Sequence, residues 1–285
     1  MDTSARTTKS LLIFFLLVFV FSIPLWVLGA VIDRSLQKDT ALYFNVILLW
    51  HASIAVLPMI AALILVYGER GADGMKHLLK RPFDYARIKG KMWYVVVFLT
   101  FPFMMVLEYG LLKLMGAPLP DLQPPSLLVP AAFVLFFFLG IGEELGWTGY
   151  ALDPLQSRWT ALGASVILGA VSIVWHLIPI MQEPHTPMWI AWHSGTMIPL
   201  RILMVWIYNN TRRSMFAVVV FHAMTNIGEV VWPFYGTTGY YDPFITFVLL
   251  AVTAAIVTFL WGPETLARFR YTGSGGPRLV EGAVS

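Results

Sequence analysis

The run Ala131-Ala132-Phe133-Val134-Leu135-Phe136-Phe137-Phe138-Leu139-Gly140-Ile141-Gly142-Glu143-Glu144-Leu145-Gly146-Trp147 decides the fold. It is uncharged up to Gly142, and with its flanks it reaches the length of about 20 apolar residues that crosses a bilayer. Two adjacent carboxylates then follow at membrane depth. On insertion scales each charged side chain there costs roughly 2.5 to 3.5 kcal/mol, so Glu143 and Glu144 persist only with a partner, water or a shared proton. They read as a functional site.

Working outward, the rest of the chain has the same solvent. Hydrophobic residues make up 58% and charged residues 12% of the 285, with a mean hydropathy of +0.72. A water-soluble domain of this size does not carry that balance. There is no cysteine, which excludes disulfides, thiolate metal sites and a cysteine nucleophile.

Eight segments are apolar enough to span: roughly 11–32, 43–67, 93–115, 127–152, 159–180, 189–208, 214–233 and 244–261. The expected fold is therefore an all-α, polytopic transmembrane bundle of about eight helices. Residues 1–10 form an N-terminal tail, 11–262 one helical domain, and 263–285 a flexible tail containing Thr272-Gly273-Ser274-Gly275-Gly276-Pro277. The first span follows Arg6 and Lys9 as a signal peptide would, but bulky Trp26 stands where a cleavage site needs small residues, so it reads as a retained helix.

Basic residues orient the bundle. With the N-terminus inside, one side collects Arg6, Lys9, seven residues between Arg70 and Lys91, Arg158, Arg212, Arg213, Arg268, Arg270 and Arg278, while the other has only Arg34 and Lys38. Positive charge stays cytoplasmic, so both termini face the cytoplasm, in a multi-pass protein of the cell membrane. The 70–91 loop reads as a membrane-surface segment with a short amphipathic helix around Met75 to Lys80, before Pro82. Net charge is only +3, and nucleic acid is not an expected partner.

The polar residues of the later spans converge. Glu143 and His176 lie equally far from a turn centred between Trp159 and Thr160, so an antiparallel hairpin sets them at one depth. His222 and Asn226, four apart, share a helix face. A carboxylate and a histidine can activate water as general base, and a second histidine with an amide can stabilise an oxyanion. Taken singly, each of these residues is as well explained by interhelical hydrogen bonding.

The order Glu143-Glu144-Leu145-Gly146-Trp147-Thr148-Gly149-Tyr150, Trp175-His176-Leu177-Ile178-Pro179 and His222-Ala223-Met224-Thr225-Asn226 resembles the CPBP family, the type II CAAX prenyl proteases and bacteriocin-processing or immunity (Abi) proteins. The resemblance covers about residues 130–230. It implies an intramembrane endopeptidase open toward the cytoplasm, with Glu143 and His176 activating water, His222 and Asn226 binding the oxyanion, and Glu144 in support. The implied partner is a peptide or membrane-protein substrate, prenylated CAAX peptides being one class.

Two positions depart from the family pattern. Thr148 stands where EExxxR expects arginine, and Ser172 stands where an aromatic residue is expected four before His176. The missing guanidinium would have held Glu144 ionised and oriented. Arg201, at a depth similar to Thr148, either pairs with Glu144 in its place or extends its long stem to the interface.

No cofactor is expected. Glu143, His176 and His222 could form a three-ligand zinc site, but no H-E-x-x-H spacing supports it, and metal-free water activation is preferred. A non-catalytic binding or immunity protein is the alternative that Thr148 favours. A proton-coupled transporter is another, lacking paired broken helices or an inverted repeat. His51, Glu108, His193 and Glu229 read as interhelical or helix-end partners, His77 and His185 as loop residues, and Trp189, Trp192, Trp206 and Trp232 as packing or interfacial belts.

Overall fold

The computed structural model describes residues 3–37, 40–119, 128–183, 185–230 and 242–267. Over these the chain is all-helical: α1 (Thr3–Ser35), α2 (Ala41–Ala55), α3 (Leu57–Lys80), α4 (Met92–Leu114), α5 (Leu128–Gly146), α6 (Asp153–Arg158), α7 (Ala161–Met181), α8 (Pro187–Asn210), α9 (Met215–Val230) and α10 (Pro243–Trp261). Among the described residues seven helical stretches are long and apolar enough to cross a membrane. This is a multi-pass membrane protein. Apolar side chains such as Leu12, Leu49, Phe103, Val252 and Phe259 lie exposed on its outside, the surface that hydrocarbon covers in a bilayer.

Helix starts follow local chemistry. The hydroxyls of Thr40, Thr160 and Thr186 and the carboxylate of Asp242 accept backbone N–H groups of the first turns of α2, α7, α8 and α10. Such caps are each worth about 1 kcal/mol. Pro187 and Pro243 occupy first-turn positions, where a missing N–H costs nothing.

Three features differ from the expected spans. The span expected at 43–67 is broken at Val56, because Pro58 lacks an N–H and its ring clashes with the preceding turn. Past that break α3 continues far beyond residue 67, with a second interruption at Gly71, whose φ of 63° suits glycine. The expected amphipathic helix before Pro82 is thus the end of α3, with Leu78 buried and Lys76 and Lys80 exposed. The span expected at 214–233 is shorter, with Met215–Gly228 as its apolar part, and its end from residue 231 lies outside the described residues.

The turn between α6 and α7 falls at Trp159 and Thr160, both extended. Beyond α10, Leu266 is buried, and Asn209 and Asn210 donate to the carbonyls of Thr265 and Leu266. This end of the chain is docked as far as it is described; Arg268, Arg270 and the glycine-rich tail lie outside the described residues.

Helix α9 is the axis of the bundle. It packs against α4, α5 and α8, and Ala217, Val218, Val219, Val220, Phe221 and Ala223 have no exposed surface. On another side, helix α5 closely approaches the α2–α3 break. A Cβ on Gly142 would lie 2.6 Å from the Ala55 carbonyl oxygen, and one on Gly146 2.6 Å from that of Pro58. Overpacking of this kind costs about 1 to 3 kcal/mol. Gly142→Val and Gly146→Val should therefore lower the thermal midpoint in detergent, whereas an unchanged midpoint would contradict the close contact.

Candidate functional site

Glu144 is the centre of the polar cluster and has no exposed surface. Its Oε2 accepts from Thr148 Oγ1 at 2.5 Å and from Arg201 Nη1 at 2.8 Å, and its Oε1 accepts from His222 Nδ1 at 3.0 Å. Three elements supply these donors: the turn after α5, then α8, then α9. Each carboxylate oxygen is satisfied, which a fully buried charge requires.

Arg201 answers the question left by Thr148. It does not reach the interface; its side chain is 6% exposed and turned inward to Glu144. The short threonine side chain and the guanidinium from α8 meet on one oxygen, where the family pattern would bring a single arginine from the same helix.

Glu143, one residue earlier and so about 100° around the helix, faces the other pair of groups. His176 Nε2 lies 3.7 Å from its Oε2 and His222 Nε2 4.0 Å from its Oε1. Both Glu143 and His222 are largely buried, at 13% and 12% exposure, and His176 is more open at 29%. The matched depth read from the hairpin is therefore realised as proximity.

His176 is oriented from its own helix. Its Nδ1 donates to the Ser172 carbonyl at 2.9 Å, with Ser172 Oγ 3.2 Å from the same nitrogen. That leaves Nε2 of the neutral ring as a lone pair aimed at Glu143. The Trp175 ring meets the His176 ring edge to face at 4.5 Å, while Trp175 Nε1 donates to Ser22 Oγ at 2.8 Å. Ser172 was legible only as a lost aromatic; its spacing of four before His176 was the available signal of a hydrogen-bonding role.

Asn226 lies one turn beyond His222 on α9, half-buried. Helical geometry puts the two on one face. Two carboxylates are thus gathered with one guanidinium and two imidazoles in an apolar shell.

The zinc reading of Glu143, His176 and His222 gains no support from their grouping. Among the described residues no three His, Asp or Glu side chains are grouped so as to hold a metal ion.

The other polar residues are placed elsewhere. Glu108 on α4 accepts from Asp242 N at 2.8 Å and Thr246 Oγ1 at 2.5 Å, tying α4 to the start of α10. Glu183 lies between His51 and His185 at 3.3 and 3.2 Å. Burial works to raise its pKa, but the hydrogen bonds and charges of the two histidines outweigh it and hold the carboxyl below its ordinary value. His185 stacks on Trp189, and Trp189 on His193. Trp206 packs between Trp93 and Trp261. The side chain of Glu229, and Trp232, lie outside the described residues.

Fold and site together define a multi-pass helical membrane protein with one buried glutamate, arginine and histidine centre. The family described as type II CAAX prenyl endopeptidase Rce1-like matches residues 125–228, which contain all three motifs. Over 262 residues, 87% of this chain and 93% of the relative, the sequence is 26% identical to CAAX prenyl protease 2 of Methanococcus maripaludis. Residues 125–228 are thus similar to an Rce1-like CAAX prenyl endopeptidase domain. These similarities support a protease-type function acting on a peptide substrate in membranes.

Proposed function

We propose that this protein is an intramembrane endopeptidase of the CAAX prenyl protease type, hydrolysing a peptide bond with water activated by Glu143 and His176. The observation that carries the reading is the opposition of Glu143 Oε2 and His176 Nε2 at 3.7 Å. With Nδ1–H committed to Ser172, two acceptors face each other, and one water can donate a proton to each. Its lone pairs are then free to attack a carbonyl carbon.

Glu143 takes the proton as attack proceeds and returns it to the leaving amine. The oxyanion is met by His222 Nε2–H and the Asn226 amide. His222 donates from both nitrogens only as an imidazolium, with Nδ1–H going to the Glu144 carboxylate at 3.0 Å and Nε2–H to the oxyanion. Glu144 acts through His222, and Arg201 with Thr148 holds Glu144 in place. Arg201 restores the charge whose loss at position 148 favoured a non-catalytic protein.

The substrate class we assign is a prenylated peptide or membrane-protein tail, presented at the cytoplasmic side of the cell membrane, with both termini of the protease on that side. A panel of quenched prenylpeptides tests the reading on purified protein. His222→Ala and Asn226→Ala should each depress kcat by the equivalent of about 2.7 to 4 kcal/mol, the worth of one oxyanion donor, with little change in KM. A rise in KM at unaltered kcat would contradict the role.

The chemistry as drawn uses no metal. Elemental analysis should find zinc below stoichiometry in active protein, and exhaustive chelation should leave turnover unchanged. Stoichiometric zinc whose removal abolishes activity would overturn that part of the mechanism.

A further inference from the structure

The segment joining α3 to α4 runs as a strap across the elements that carry the site. Arg81 Nη1 donates to the Gly149 carbonyl at 3.1 Å and its Nη2 to Tyr208 Oη at 2.6 Å. Tyr208 in turn donates to Asp153 Oδ2 at 3.0 Å. Three residues further along the strap, Asp84 accepts from Ser214 Oγ at 2.8 Å and from Phe216 N at 3.1 Å, capping α9 from outside its own helix. Arg87 then donates to the Arg212 carbonyl at 3.1 Å.

The Gly149 carbonyl has no backbone donor in the i+5 register. Residues Trp147–Leu152 form a π turn continuing α5, in which a carbonyl looks to the N–H five residues on. For Gly149 that residue is Pro154, which has no N–H. The guanidinium supplies the missing bond and, with its second nitrogen, grips α8. The π turn carries Thr148 and α8 carries Arg201, the two donors that meet on Glu144 Oε2.

We infer that Arg81 is a positioning residue for the site, fixing the register of the π turn against α8 so that Thr148 and Arg201 reach Glu144 together. The inference rests on the hydrolytic reading for its kinetic consequence, and on geometry alone for its structural one. Lysine is a poorer substitute, since its single ammonium must reach both acceptors from one nitrogen, whereas the planar guanidinium gives one nitrogen to each.

The test uses full-length protein in detergent. Misplacing a reacting constellation by a fraction of a residue costs up to about 100-fold, so Arg81→Ala should lower kcat about 10- to 100-fold with KM near that of wild type. Tyr208→Phe, which keeps the ring packed, should shift kcat the same way by less. Because Arg81 and Thr148 act through one carboxylate oxygen, Arg81→Ala with Thr148→Val should lose less than the product of the single losses. Unchanged kcat in Arg81→Ala, or losses that simply multiply, would overturn the role.

Hydrogen exchange separates failure of this inference from failure of the hydrolytic reading. Amides of 147–152 should exchange faster in Arg81→Ala while those of α7 keep wild-type protection, whether or not any peptide is cleaved. Unchanged protection at 147–152 overturns the inference.

Discussion

Glu143→Gln should lower turnover roughly 100- to 10,000-fold, the range for loss of a positioned general base, in a protein that still purifies as a monodisperse bundle. The amide is nearly isosteric and keeps one acceptor oxygen toward His176, but it cannot take a proton from water. Fold is not at stake, because Glu143 is not the residue that the buried donors hold; Thr148, Arg201 and His222 Nδ1 all bond to Glu144. His176→Ala should produce a comparable loss by removing the other acceptor of the nucleophilic water. Unchanged turnover in either variant would sink the assignment of the base.

Arg201→Leu should be the most damaging single change to fold and activity together. It leaves the Glu144 carboxylate, with no exposed surface, without its cationic partner, and breaking such a pair costs about 3 to 5 kcal/mol. His222 alone then carries the charge, and the oxyanion donor moves with it. Adding Thr148→Arg should restore part of the stability and turnover, because position 148 already delivers a side chain to the same oxygen at 2.5 Å. Thermal melting and prenylpeptide hydrolysis read the two effects separately. A harmless Arg201→Leu would show that the ion pair orients nothing.

Much of the bundle was legible because lipid imposes one dominant rule. An apolar run long enough to span must be helical, since no water is present to satisfy its backbone. The same rule does not reveal where a run breaks, and the division at Val56 depended on one proline in an otherwise continuous apolar stretch. The closeness of Glu143 and His176 was legible from equal distances to one turn. Arg201 was legible only as an alternative, because its stem permits either destination and the choice depends on which face of α8 packs inward.

The strap lay beyond sequence reading altogether. Arg81 bonds to partners 68 and 127 residues away, and no periodicity links them. Seven basic residues between Arg70 and Lys91 also look alike as charges. What distinguishes Arg81 is a carbonyl left without an i+5 backbone donor by the π turn and Pro154, which exists only once the helix is built.

The most direct measurement compares wild type and Glu143→Gln, purified in parallel, on the quenched prenylpeptide panel. The account predicts that wild type cleaves at least one member and that the variant, with the same thermal midpoint, is slower by the factor expected for a lost base. Folded wild type that cleaves no member, or equal cleavage by the two proteins, would contradict it.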